Sequence, residues 1–388
     1  MPANFSTPLR SLTFIFALAS SPFVRGDDSP AGVTVGVPLM SLAQAGAKPA
    51  VEVAQVKVTP ASGVGGAVFT QRVPPESAKM LGLITGHLEK LHPGKLTTGR
   101  TEIAYVGAVA PQDIAASGLA LSVALDAMLG GWTPERGFVA IGAFEREGDA
   151  APVKNALPQI LSAIKSGAPR VLVTEKQMAQ VTDAMIISGI AAFSTTEIFG
   201  VNSYEDVKAI ADSKLTKDMK TGLDLFAEVQ GKLHAPDVKP EEVLREDDVK
   251  EALREALTAT PTSLSARLLL RVTTGQFDTL SVDGTMFAIE TMAPAIFAVV
   301  QSRMPNDAVK MQNSVAQAEI TRLKETKSRF DKHAQPLVDA VLAYGEFVRS
   351  FTERPAKDPT ETLGRNRSLL LTSQAVAAEL AKFKTLLK

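Results

Sequence analysis

Cysteine is absent from the 388-residue chain. That excludes a thiol nucleophile, thiolate-bound zinc, a disulfide framework and a lipidated N-terminal cysteine, while a chain this long has enough core to do without disulfides. Histidine is nearly absent as well. The four that exist, His87, His92, His234 and His333, never fall in a His-Glu-x-x-His pattern, so no metal is expected. His87 and His92 flank a short helical stretch and are expected on its wet side. Neither sign of charge prevails: Lys+Arg 41 against Asp+Glu 42 leaves a net charge of -1, no basic excess gathers phosphates, and nucleic acid is not an expected partner. No apolar run is long enough to remain in a bilayer. The longest candidate, MFAIETMAPAIFAVV, is interrupted by Glu290 and Pro294 and reads as core, so the chain is not expected to be an integral membrane protein. GVGG at 63–66 lacks the Gly-Lys-Ser/Thr ending of a phosphate cradle; ATP is not an expected ligand, nor is any other cofactor. There is no Gly-x-Ser-x-Gly elbow either.

What is present is ordinary globular material, 45% hydrophobic, enough for two or three domains. The opening residues carry Arg10, an apolar run from Leu12 to Ala19, and then small and turn-forming residues up to Gly26. This layout predicts a secretory signal peptide over 1–26, with Val24 and Gly26 as the small residues before cleavage, and hence an exported protein, periplasmic or extracellular. Residues 27–50, rich in Gly, Ala and Pro, read as an extended lead-in or a loose strand.

Texture changes at Val51. VEVAQVKV alternates at period two; GGAVFTQRV follows a glycine-rich turn; Met80, Leu83, Ile84, Leu88 and Leu91 recur at helical spacing. TEIAYVGAVA, GFVAIGAF and PRVLVT read as strands, with helices over about 116–129 and 155–166 between them. The last helix of this region is SYEDVKAIA. Strands separated by helices predict an α/β (α+β) layer fold over 51–211.

Beyond Ala211 the strands stop, and 212–388 is expected to be an all-α helical domain. Met219, Leu223, Phe226 and Leu233 form one amphipathic face. EALTATPTSLSARLLLRVTTGQ reads as a helical hairpin broken at Thr-Pro-Thr; it resembles a single tetratricopeptide-like unit, where a stable array needs three or more. The acidic stretch REDDVKEALRE reads as a solvated helix start. Ile320/Leu323, Phe330, Ala334/Leu337, Val341/Tyr344 and Val348/Phe351 keep a seven-residue rhythm, with Lys327 as a polar intrusion and Pro336 as a kink or restart. Leu369, Val376, Leu380, Phe383 and Leu387 continue it. Such stripes serve either a hairpin packed within the chain or a seam for a partner helix, leaving a homo-oligomer possible.

One stretch points to a family. Gln112-Asp113-Ile114-Ala115-Ala116-Ser117-Gly118 opens a long apolar helix. Ile141-Gly142-Ala143, Gly148 and Pro152-Val153 follow, then Lys154-Asn155-Ala156-Leu157 at the start of another helix, then ILSAIKSGAPRVLVT. In residue type and interval this run resembles the proteolytic domain of Lon proteases, strongly over 111–174 and faintly before residue 100, with the ATPase module of that family absent. The resemblance implies the family's α/β fold. It also implies a Ser-Lys dyad, a serine near a helix N-terminus with a desolvated lysine as its base. Here the nucleophile position falls on Ala116 and the base position on Leu157; the supporting Thr and Glu are replaced by Ile141 and Ala143. Scaffold positions Asp113, Gly118, Gly142, Gly148, Pro152 and Gly167 are retained.

The resemblance therefore implies a serine-endopeptidase fold without its chemistry: an exported pseudo-protease that acts by binding a protein or peptide, with no catalytic residue. The alternative is an ATP-independent serine peptidase that uses Ser117 with Lys154. One residue along a helix turns a side chain by about 100°, so Ser117 points away from the family's serine unless the helix start shifts. Lys154 lies in the turn before its helix, where a solvated ammonium is a poor base.

Overall fold

The computed structural model describes residues 32–40, 50–107, 114, 116–235, 238–276, 279–302, 313–353 and 357–385. The expected signal peptide, Asp113 and Leu387 lie outside the described residues.

The alternation in VEVAQVKV becomes β2 (Val51–Ala61), whose Val56 and Val58 are fully buried while Gln55 and Lys57 are exposed. β2 pairs antiparallel with β1 (Val33–Met40) on one side and with β4 (Arg100–Val106) on the other. β3 (Gly66–Phe69) runs parallel to β4 at the edge. Beyond β1 the sheet turns parallel through β5 (Val139–Ala140), β8 (Arg170–Thr174) and β9 (Glu197–Val201), giving the order β3-β4-β2-β1-β5-β8-β9. The segment read as an extended lead-in or a loose strand thus contributes β1, a strand inside the sheet with Val35, Val37 and Leu39 in the core. β9, a strand absent from the sequence expectation, is buried along its whole length. Continuous burial removes the period-two signal that marks a half-exposed strand.

GFVAIGAF is expected as one strand and is instead divided. β5 joins the sheet, whereas β6 (Ala143–Phe144) pairs with β7 (Ala150–Ala151) in a separate ribbon. The reason lies between them: Gly142 turns its carbonyl to the backbone N–H of Leu119 at 3.0 Å, satisfying a donor in the first turn of the next-door helix.

Helices cover both faces. On one side lie α1 (Pro75–Leu91), the short α2 (Lys95–Thr98), α3 (Gly118–Gly130) and α6 (Tyr204–Ala211), sharing a core with Ile103, Tyr105, Leu172 and Phe199. On the other lie α4 (Ala156–Lys165) and α5 (Met178–Ser188). This second core does not end at Ala211. α7 (Lys217–Leu233), α8 (Pro240–Val243), α9 (Asp247–Ala259) and α10 (Leu264–Thr273) place Phe226, Leu253, Leu264 and Leu268 in the same cluster as Val171, Val173 and Ile198. Thr216 and Ser263 cap α7 and α10 with their side-chain oxygens.

A third cluster belongs to α11 (Val282–Met292), α12 (Pro294–Ser302), α13 (Asn313–Thr326), α14 (Gln335–Glu353) and α15 (Pro359–Lys384). MFAIETMAPAIFAVV is divided at Pro294 into α11 and α12 and lies in this core, and no described helix is long and apolar enough to cross a membrane. Ile320, Leu323, Phe330, Ala334, Leu337, Val341, Tyr344 and Val348, the seven-residue stripe, are consumed inside the chain. Pro336 sits in the first turn of α14, a restart where its missing N–H goes unnoticed.

Candidate functional site

The positions implied by the resemblance fall in two places: the start of α3, beside β4 and the β5–β6 turn, and the start of α4, in the core on the other face of the sheet. Ala116 is partly exposed in the turn of 3-10 helix leading into α3, and offers a methyl group. Ser117 is the N-cap of α3, but its hydroxyl does not cap the helix. It is fully buried, donates to the Ile114 carbonyl at 2.6 Å, and shares a short hydrogen bond with the Tyr105 hydroxyl. A hydroxyl has one proton, so with that proton on Ile114 the phenol is the donor to Ser117. Burial pushes the Tyr105 phenol well above its ordinary range; it holds its proton and is no base.

Gly118 explains why the helix starts so close to β6. A Cβ at this position would stand 2.5 Å from the Phe144 backbone nitrogen, a separation no side chain survives, so only glycine lets the first turn of α3 touch the ribbon. Ahead of α4, Asn155 lies in the left-handed region at φ 56°. Asn is among the few residues other than glycine that tolerate this backbone.

Leu157 and Ile141 are 5% and 1% exposed and belong to one apolar cluster with Val139, Ala156 and Ile160. The position implied for a base is packed hydrocarbon. Ala143 is partly buried and Lys154 is exposed on the turn ahead of α4. The structure thus brings Leu157 to Ile141 and Ser117 to Tyr105. Among the described residues, Ser117 has no lysine as a hydrogen-bond partner.

Two residues absent from the sequence expectation matter here. Tyr105 closes over Ser117. Asp126, fully buried on α3, is the hub of a polar network: His92 hydrogen-bonds one carboxylate oxygen, and the Trp132 indole donates to the other at 3.0 Å. The Lys208 ammonium stands 3.1 Å from that second oxygen and 5.5 Å from the centre of the Trp132 ring. Burial alone would raise the Asp126 pKa, but hydrogen bonds from His92, Lys208 and Tyr204 outweigh it and hold the carboxyl below its ordinary value. The signal for this hub was visible, a lone carboxylate inside the apolar run SVALDAML.

The expectation that His87 and His92 face water is wrong. His92 turns back from the end of α1 to Asp126, and His87 packs edge-on against Phe144 and Tyr204 at 5.4 Å from each ring centre. Two side-chain requirements pull them in: a buried carboxylate needs donors, and Gly148 leaves a hollow that the His87 ring fills. His234 and His333 are exposed at helix ends.

Among the described residues no cluster of three or more His, Asp or Glu has the arrangement to hold a metal. No protein-family model matches the chain, and no curated protein matches it by sequence.

Proposed function

We propose that the chain is a catalytically silent relative of the Lon proteolytic domain, exported, and acting by binding a protein or peptide. One observation carries the reading. The serine nearest the implied nucleophile position is fully buried, with its proton on a backbone carbonyl and its lone pair on a phenol, and the implied base position is hydrocarbon. Acyl transfer needs a hydroxyl that substrate can reach and a base that can take its proton. Neither condition is met by this arrangement. Replacing polar groups by Ala116, Leu157, Ile141 and Ala143 together also fits a pocket released from catalysis, because each unpartnered hydroxyl or amine left there would cost about 1–3 kcal/mol. Support for export comes from the N-terminal sequence, with its basic residue and short apolar run.

Incubation with a serine-reactive phosphonate, alongside turnover of unfolded casein, tests the reading. The expected outcome is no label on Ser117 and no cleavage. Turnover that disappears in both Ser117→Ala and Lys154→Met, with unchanged melting temperatures, would establish the peptidase instead.

A further inference from the structure

Away from the Ser117 region, a cavity of about 220 Å³ opens where the end of α5, α8, α10 and the end of α13 meet. Met185, Ile186, Ile190 and Val272 supply the apolar part of its lining. Two exposed carboxylates, Glu241 of α8 and Glu325 of α13, stand on its walls. Drug-sized ligands occupy roughly 300–1,000 Å³, so this space suits a single side chain.

The charges around it are unbalanced for a reason that can be read off neighbouring ion pairs. Lys239 is held by Glu242 at 3.1 Å, Lys324 by Glu346 at 2.7 Å and Lys327 by Asp339 at 2.5 Å. Each lysine close in sequence to Glu241 or Glu325 is thus committed to a different carboxylate. Among the described residues neither Glu241 nor Glu325 has an ion-pair partner. Among the described residues Arg329 is the one cation lining the cavity, and it is already engaged.

We infer that this cavity receives a lysine side chain of a partner polypeptide, its aliphatic stem on Met185, Ile190 and Val272 and its ammonium between Glu241 and Glu325. Such a side chain satisfies both kinds of lining: the methylenes cover apolar surface and the head neutralises two carboxylates. A carboxylate or a phosphate would meet the like charge of Glu241 and Glu325, and a purely apolar side chain would leave both carboxylates unpaired. Only the identity of the bearer, a polypeptide, rests on the binding-protein reading above; the chemistry of the cavity stands apart from Ser117. Labelling of Ser117 would overturn that reading without touching this one.

The test uses the full chain and methyl-detected NMR, with N-acetyl-lysine methylamide as the probe and its norleucine counterpart, which has the stem without the ammonium. The expected result is a set of shifts confined to the methyls of Met185, Ile186, Ile190 and Val272, weakening with added salt, with the norleucine compound at least about tenfold weaker. Glu241→Gln/Glu325→Gln should bring the lysine probe down to the norleucine level at an unchanged melting temperature. Equal binding of the two probes, full lysine binding by the double variant, or no methyl shift at about 50 mM probe would each overturn the inference.

Discussion

Glu197 shows how far a single residue can depart from its sequence appearance. Charged side chains are seldom fully buried, yet Glu197 is 4% exposed at the start of β9 and accepts a 2.6 Å hydrogen bond from the Ser263 hydroxyl. Burial drives its pKa up to about 8, against the smaller opposing effects of Ser263 and of Arg170 on the adjacent strand. The native state therefore keeps a proton that the unfolded chain releases between the ordinary value of 4.5 and about 8. Its contribution is full below that range and is lost as pH rises through it, at up to about 1.4 kcal/mol per pH unit. Urea denaturation at intervals from pH 6 to pH 9 should show wild-type stability falling across this range relative to Glu197→Gln, whose amide cannot titrate. Parallel curves for the two proteins would mean that Glu197 is ionised throughout. Asp126 has the opposite sign: its contribution is present above the ordinary carboxylate value and is lost only as pH falls through the lower folded value.

At the scale of elements, the outer edge of β9 is where sheet and helical region are joined. The Gly200 N–H donates to the Thr262 carbonyl at 2.8 Å, and the Ile198 N–H to the Ser265 hydroxyl at 2.8 Å. An edge strand left open invites another chain; here the turn between α9 and α10 closes it. Ser265→Ala strands the Ile198 N–H in a fully buried position, at a cost of roughly 1–3 kcal/mol. Native-state hydrogen exchange should show the Ile198 amide exchanging faster by that free energy, with amides of β2 unaffected. If protection at Ile198 survives, the strap is held by Glu197 and backbone pairing alone. The hairpin itself was legible in EALTATPTSLSARLLL, from the Thr-Pro-Thr break and the apolar stripe through Leu264 and Leu268. Its target was not, since Ile198 and Ser265 are 67 residues apart.

The whole molecule is organised by cores that do not follow the change in sequence texture at Ala211. Phe226, Leu253, Leu264 and Leu268 finish the sheet face that holds Val173 and Ile198, whereas α11 to α15 enclose a cluster of their own, with Ile186 and Ile187 of α5 packed against it. Asp183 on α5 strengthens that junction by accepting the Ser281 N–H at 2.7 Å at the start of α11. A chain truncated after Ala211 should lack cooperative thermal unfolding and bind a hydrophobic dye, because one face of its sheet is left in water. Truncation after Gln276 should retain a cooperative transition. Cooperative melting of the shorter chain, followed by circular dichroism, would show that the α/β layer closes without α7 to α10.

Period-two alternation in VEVAQVKV, helical spacing in AKMLGLITGHLEKL and capping residues such as Ser263 are local properties, set by backbone geometry and by which side chains one face buries. The sequence by itself therefore determined the α/β succession, the helical second half, and the methyl and isobutyl groups at Ala116 and Leu157. Tertiary structure alone decided which strands are neighbours, putting β1 inside the sheet from a stretch with little local signal. It also decided which polar groups meet: Asp126 with His92, 34 residues away, and Ser117 with Tyr105. Burial and hydrogen bonding are properties of the assembled core, where a side chain's environment is made by residues distant in the chain and no window of neighbours contains it.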